Sequence, residues 1–189
     1  MLEVPPFECL ETPRLRLRRL HPEDAPALAQ YRSLPEVARF QGWNSPYPEP
    51  KAMDLIDQMQ NREPGQSGWF QFAVALGSEG TLIGDIGVHT FEERQAELGF
   101  TLSSQWWGKG YATEALEAVI NYAFKTLQMH RLVAATDPRN LASQKVLERL
   151  GFRKEGHLIE AYFDGTHWLD ECRYGLLARE WFEAHRTDL

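Results

Sequence analysis

Apolar and polar residues alternate along this chain in two rhythms. Leu15-Arg16-Leu17-Arg18-Arg19-Leu20 sets apolar against basic side chains with the period of a half-exposed strand. Pro22-Glu23-Asp24 then opens a predicted helix reaching about residue 34, with a proline and two acids in its first turn; Pro26, one turn in, argues for a later start. Residues 40–50, with Trp43, Asn44, Pro46, Tyr47 and Pro48, are predicted to be a loop, and residues 51–61, carrying Met53, Ile56 and Met59, a short helix. Residues 69–76 and 82–90 read as a strand pair joined through Gly77-Ser78-Glu79-Gly80, and 96–102 as the next strand.

The clearest helix spans residues 111–127, where Leu116, Val119, Ile120, Ala123, Phe124 and Leu127 recur at helical spacing. A buried strand at 131–136 is broken by Asp137-Pro138-Arg139-Asn140. Asn140 suits the N-cap of a helix over 141–150, and Gly151 suits its stop. Segments 156–163 and 166–177 flank Asp164-Gly165, a hairpin signal. With no repeat, linker or low-complexity tract, the order predicts one domain of the mixed α/β (α+β) class, a sheet with helices on its faces.

The bulk numbers narrow the partners. At 189 residues, 43% hydrophobic and 25% charged, the chain has an ordinary globular composition. A net charge of −7 argues against a general nucleic-acid surface and is compatible with a cationic substrate. Cys9 and Cys172 lack metal-ligand spacing, and the histidines show none either, so no metal is expected. The leading residues have neither a basic nor an apolar signal region, and no run is long enough to span a membrane, so a cytoplasmic protein without membrane contact is expected.

The candidate chemistry centres on Gln105-Trp106-Trp107-Gly108-Lys109-Gly110-Tyr111-Ala112-Thr113-Glu114-Ala115. A glycine turn between a strand and a helix leaves backbone N–H groups free, and the helix N-terminus adds positive partial charge; together they suit a phosphate-bearing ligand. A P-loop register fails because Gly110 follows Lys109. A dinucleotide fingerprint through Gly108, Gly110 and Thr113 would stand on the first strand of a βαβ unit, whereas this turn is mid-chain. A plain strand-to-helix connector is the remaining alternative.

Gln105-x-x-Gly108-x-Gly110 resembles the pyrophosphate motif of the GNAT superfamily of N-acetyltransferases. Glu11-Thr12-Pro13-Arg14-Leu15-Arg16-Leu17-Arg18 followed by Pro22-Glu23-Asp24-Ala25 is similar to the family's opening strand and helix, and Trp106 to Ala115, Asn140-x-x-Ser143-x-x-Val146-Leu147-Glu148 and Asp164-Gly165-Thr166-His167-Trp168-Leu169-Asp170 are similar to signatures of its ribosomal-protein N-terminal acetyltransferase branch. The likeness runs from about Thr12 to Trp181. It implies a mostly antiparallel twisted sheet of about seven strands, splayed between 96–102 and 131–136, with acetyl-CoA as co-substrate and no metal.

Under that resemblance Phe100, Thr101, Leu102, Gln105, Trp107, Gly108, Lys109, Gly110, Tyr111, Ala112, Thr113, Asn140, Ser143 and Lys145 would hold the cofactor, with a backbone N–H near 100–102 facing the acyl oxygen. Ser143 would serve the leaving thiolate; by position it could equally be a helix-terminal residue. Glu97 is the candidate general base, with Asp85, Glu92 and Glu160 as weaker ones. The demand on a base depends on the acceptor: an α-amino group, with pKa about 8, is partly neutral at pH 7, whereas a lysine near ~10.4 is almost wholly charged. Trp43, Tyr47 and Tyr162, with Asn44, His167 and Trp168 nearby, are expected to line the pocket for that amine, a peptide N-terminus or a small molecule. Direct attack in a ternary complex and a possible homodimer complete the expectation; a non-catalytic acyl-CoA-binding domain is the alternative.

Overall fold

Side-chain alternation along the strands divides the apolar residues between two cores, one on each face of a single sheet. Strand β3 (Gly68–Leu76) sends Phe70, Phe72 and Val74 into the larger core and Ala73 into the smaller. The other strands are β1 (Cys9–Glu11), β2 (Leu15–Arg19), β4 (Thr81–Glu92), β5 (Gln95–Leu102), β6 (Arg131–Thr136), β7 (Arg153–Phe163) and β8 (Trp168–Leu177). They form one eight-stranded sheet in the order β1-β2-β3-β4-β5-β6-β8-β7. Every neighbouring pair is antiparallel except β5–β6. This is a computed structural model, and it describes residues 6–77, 80–92 and 94–186, with Glu92 by backbone alone. The leading residues, the Ser78-Glu79 part of the expected turn and the Glu92 carboxylate therefore lie outside the description.

Helix α4 (Tyr111–Lys125) lays Leu116, Val119, Ile120 and Phe124 on the larger core, each contributing about 1.5–3 kcal/mol by burial. It meets Leu98, Leu132, Tyr174 and Leu176 there, with Leu147 of α5 (Leu141–Arg149) and Trp181 of α6 (Ala178–Ala184). Helices α1 (Ala25–Arg32) and α3 (Glu49–Gln60) cover the opposite face over Ala73 and Leu82. A short α2 (Pro35–Ala38) follows α1.

The expected helix at 22–34 divides: Pro22–Asp24 is a 3-10 turn and α1 begins at Ala25, so that Pro26 falls in its first turn, where no intrahelical N–H is needed. The sheet has eight strands, against the about seven that the resemblance implied; β1 is three residues long and leaves no periodic trace. β7 begins at Arg153 rather than 156, since Gly156 marks a bulge in the pairing with β8 rather than a strand start. The hairpin connection spans 164–167, with Asp164 Oδ1 accepting the N–H groups of Thr166 and His167.

One interruption in the sheet positions everything that follows. β5 and β6 pair only at Gln95–Arg131, Ala96–Leu132 and Glu97–Val133. Both strands continue beyond that point, to Leu102 and Thr136, without pairing to each other.

Candidate active site

A cleft of about 640 Å³ opens where β5 and β6 part. Phe100, Thr101 and Leu102 form one wall, the N-terminal residues of α5 the other, and the glycine turn closes one end. Ser103 N–H donates to the Ile83 carbonyl at 2.9 Å, so by antiparallel alternation Thr101 also faces β4, while the N–H groups of Phe100 and Leu102 face the gap.

The turn is built as the sequence suggested. Ser104–Trp106 makes a 3-10 turn, and Gly108 and Gly110 then take left-handed φ values of 73° and 81°. Gly110 is the N-cap of α4 and provides no side-chain cap, so the N–H groups of Tyr111, Ala112 and Thr113 have no intrahelical partner. A Cβ on Gly108 would meet nothing within 4 Å, which leaves that backbone open to a ligand. Trp107 donates its indole N–H to the Leu102 carbonyl at 2.8 Å, tying the turn to the end of β5. Among the predicted cofactor residues, Gln105, Lys109 and Lys145 are exposed and do not line the cleft; the Lys109 ammonium lies 4.6 Å from the centre of the Trp106 ring.

On the opposite wall Asn140 Oδ1 accepts the Ser143 backbone N–H at 3.2 Å, capping α5. The cap therefore uses the Ser143 backbone, and among the described residues its hydroxyl has no hydrogen bond. Gln144, 8% exposed, braces this helix start: its amide donates to the Pro138 carbonyl at 2.8 Å and its oxygen accepts from the Tyr174 hydroxyl at 3.1 Å. Nothing in the sequence pattern marks Gln144. Asp137, one turn earlier, is held below the usual carboxylate range by its hydrogen bonds with Arg139.

Glu97 is the last residue of β5 paired with β6. It alternates with Ala96 and Leu98 of the larger core, so it projects from the opposite face, beside the opening of the cleft rather than in its lining. It is half-buried, and among the described residues its carboxylate makes no ion pair or hydrogen bond. His89 stands across from it and stacks on Trp69, with ring centres 4.8 Å apart and planes at 19°. A Cβ at Gly87 would lie 2.9 Å from the Trp69 ring, so the indole needs that glycine beneath it. Trp69 is 41% exposed and forms an aromatic shelf beside Glu97. In the sequence only Gly87, a glycine inside a strand, hints at this close approach.

The other candidates fall elsewhere. Asp85 is buried, bonded to Arg32 at 2.6 Å and to the Tyr31 hydroxyl, and is no base for a substrate. Burial and the Asp85 charge push the Tyr31 phenol well up, keeping it a donor. Trp43 and Tyr47 do not line the cleft: the Arg32 guanidinium lies 4.2 Å from the Trp43 ring centre and 5.2 Å from that of Tyr47, and Tyr47 is 5% exposed. Their π faces already hold a cation from the protein itself. Tyr162 is exposed on the outer strand, its hydroxyl 3.8 Å from where a Cβ on Gly42 would stand. Glu160 sits in the β7 bulge at φ 49°, and His167 and Trp168 are exposed near the hairpin tip.

An uncapped helix N-terminus and a parted pair of strands thus meet in one cleft. Residues 14–153 match the Acetyltransferase (GNAT) domain, and the chain belongs to that family. It is 34% identical over 178 residues to the N-acetyltransferase p20 of Bacillus licheniformis, covering 93% of this chain and 99% of the relative. It is 31% identical over 183 residues to the [Ribosomal protein uS5]-alanine N-acetyltransferase of Escherichia coli, covering 91% and 92%. A GNAT-family acetyltransferase structure from Bacillus anthracis superposes with a TM-score of 0.83 at 27% identity, covering 90% of this chain and 99% of that one. The protein is an N-acetyltransferase of the ribosomal-protein acetyltransferase-like branch, an enzyme that moves an acetyl group to an amine.

Proposed function

We propose that the cleft takes acetyl-CoA, with backbone groups of residues 107–113 on its pyrophosphate and its pantetheine arm along β5 where β6 has parted. The residues present suit such a ligand: open left-handed glycines, an uncapped helix N-terminus and a cleft lined largely by apolar side chains. When bound, the thioester supplies an acyl carbon open to attack by an amine. The free N–H groups of Phe100 and Leu102 face the gap where negative charge develops on the acyl oxygen. The Ser143 hydroxyl donates to the departing sulfur, and Glu97 takes the proton from the incoming amine. No Cys–His nucleophile pair lies at the cleft among the described residues, in keeping with direct transfer.

The acceptor in this reading is a protein N-terminal α-amine, the acceptor class named for the Escherichia coli relative; a small primary amine is the second choice. The site would work in the cytoplasm as one domain, and a homodimer through the exposed outer edge, where Leu158 and Ile159 stand out, belongs to the same proposal. The observation that carries the reading is that one cleft joins an uncapped helix N-terminus to an unengaged Ser143 hydroxyl.

Incubation with acetyl-CoA and a panel of peptides beginning in alanine or serine, polyamines and aminoglycosides should release free thiol with at least one acceptor. Ser143→Ala should lower turnover about 100-fold and leave CoA affinity nearly intact. CoA binding with no thiol released by any amine would instead indicate a binding domain.

A further inference from the structure

Outside the cleft, Arg14, from the segment just before β2, reaches the glycine turn from behind. Its Nε donates to Glu114 Oε2 at 2.6 Å, and its backbone N–H donates to Glu114 Oε1 at 2.9 Å. Its Nη1 donates to the Lys109 carbonyl at 2.9 Å. Its guanidinium carbon lies 4.4 Å from the Tyr111 ring centre, and Nη2 would be 3.3 Å from a Cβ on Gly110. Thr12 Oγ1 completes the group with a 2.6 Å bond to Glu114 Oε1. One side chain thus reaches residues 109, 110, 111 and 114, the back of the glycine turn.

The Lys109 contact has a geometric consequence. In a planar trans peptide the carbonyl of one residue and the N–H of the next point in opposite directions. Arg14 holds the Lys109 carbonyl, so the Gly110 N–H points away from Arg14; Gly110 lines the cleft and Arg14 does not. Two glycines in left-handed conformation would otherwise leave this peptide many orientations. The Glu114 contact has an electrostatic one. Partial burial works against the Glu114 carboxylate, yet the bonds from Thr12 and Arg14 hold its pKa below the ordinary range, so it is a fixed negative charge in the first turn of α4. Unpaired, that charge would oppose an anion at the same helix end.

We propose that Arg14 is a positioning residue for the donor: it aims the Gly110 N–H into the cleft and neutralises Glu114 behind it. This rests on the reading of the turn as a CoA pyrophosphate site. Titration calorimetry with CoA tests it in the wild type, Arg14→Met, Arg14→Lys and the double variant Arg14→Met/Glu114→Gln, with a thermal melt of each. Arg14→Met should weaken CoA binding at least about tenfold. Lysine keeps the charge and loses the fork that spans Glu114 and Lys109, so Arg14→Lys should recover only part of the loss. The double variant removes the exposed charge without restoring the aim, and should stay weaker than wild type. The Arg14 side chain is 46% exposed, so melting temperatures should move little. Wild-type affinity in Arg14→Met would overturn the proposal, as would full recovery in the double variant or a CoA loss matched by a collapse in melting temperature. A wild type that fails to bind CoA would overturn the donor reading itself.

Discussion

Asp85 and Glu97 are both acids on strands at the heart of the sheet, and only their neighbours separate them. Asp85 meets Arg32 from α1, 53 positions away, a partner that no local pattern announces. Arg32 is 5% exposed; burial disfavours its charge, but Asp85 and Tyr31 hold its pKa raised. Removing one member of such a buried pair leaves the other charge unpaired, so Asp85→Ala should cost about 3–5 kcal/mol in urea unfolding. Arg32→Met combined with Asp85→Leu should recover much of that loss, because it removes both charges at once. The same arginine explains the aromatic loop: its composition was legible as a cation site, but the cation is internal. Ser143 was more readable, because the Asn140 cap fixes its helical position and hence the wall it occupies.

At the level of elements, those with strong period or clear ends could be read from the sequence. β6 runs over the expected residues, and α5 begins and ends within a residue of expectation, bounded by Asn140 and Gly151. β1, α2 and α6 escaped because three, four and seven residues give too few repeats to show a face. The glycine turn was legible in type, and its strain can be measured. Gly110→Ala would place a Cβ 3.3 Å from Arg14 Nη2 at a φ of 81°, and should cost about 1–2 kcal/mol in stability along with weaker CoA binding. Gly108→Ala, at similar φ with nothing within 4 Å, should lose comparable stability without disturbing Arg14. Chemical denaturation and calorimetry on the two variants would separate strain from crowding.

Across the whole molecule, the parted strands open a gap between the two faces of one sheet, and the proposed reaction draws on both. The uncapped end of α4 comes from the face of the larger core, whereas Glu97, His89 and Trp69 stand on the other face, beyond the cover of α1 and α3. The glycine turn was readable because one short motif builds it, whereas the row Trp69, His89 and Glu97 depends on a cross-strand register that no short motif sets. Trp69→Ala should therefore raise KM for the best acceptor in the panel while leaving CoA affinity unchanged, measured by steady-state kinetics and calorimetry.

The clamp on Glu114 also bears on how the chain comes together. Thr12 and Arg14 meet α4 across a separation of 102 and 100 residues, so the back of the glycine turn is finished only when an early segment has docked on a helix made much later. Contacts of such separation meet their closure entropy before they reward the fold. The capacity to hold CoA should accordingly return after helical structure does, which makes ligand binding a reporter of the last step of refolding.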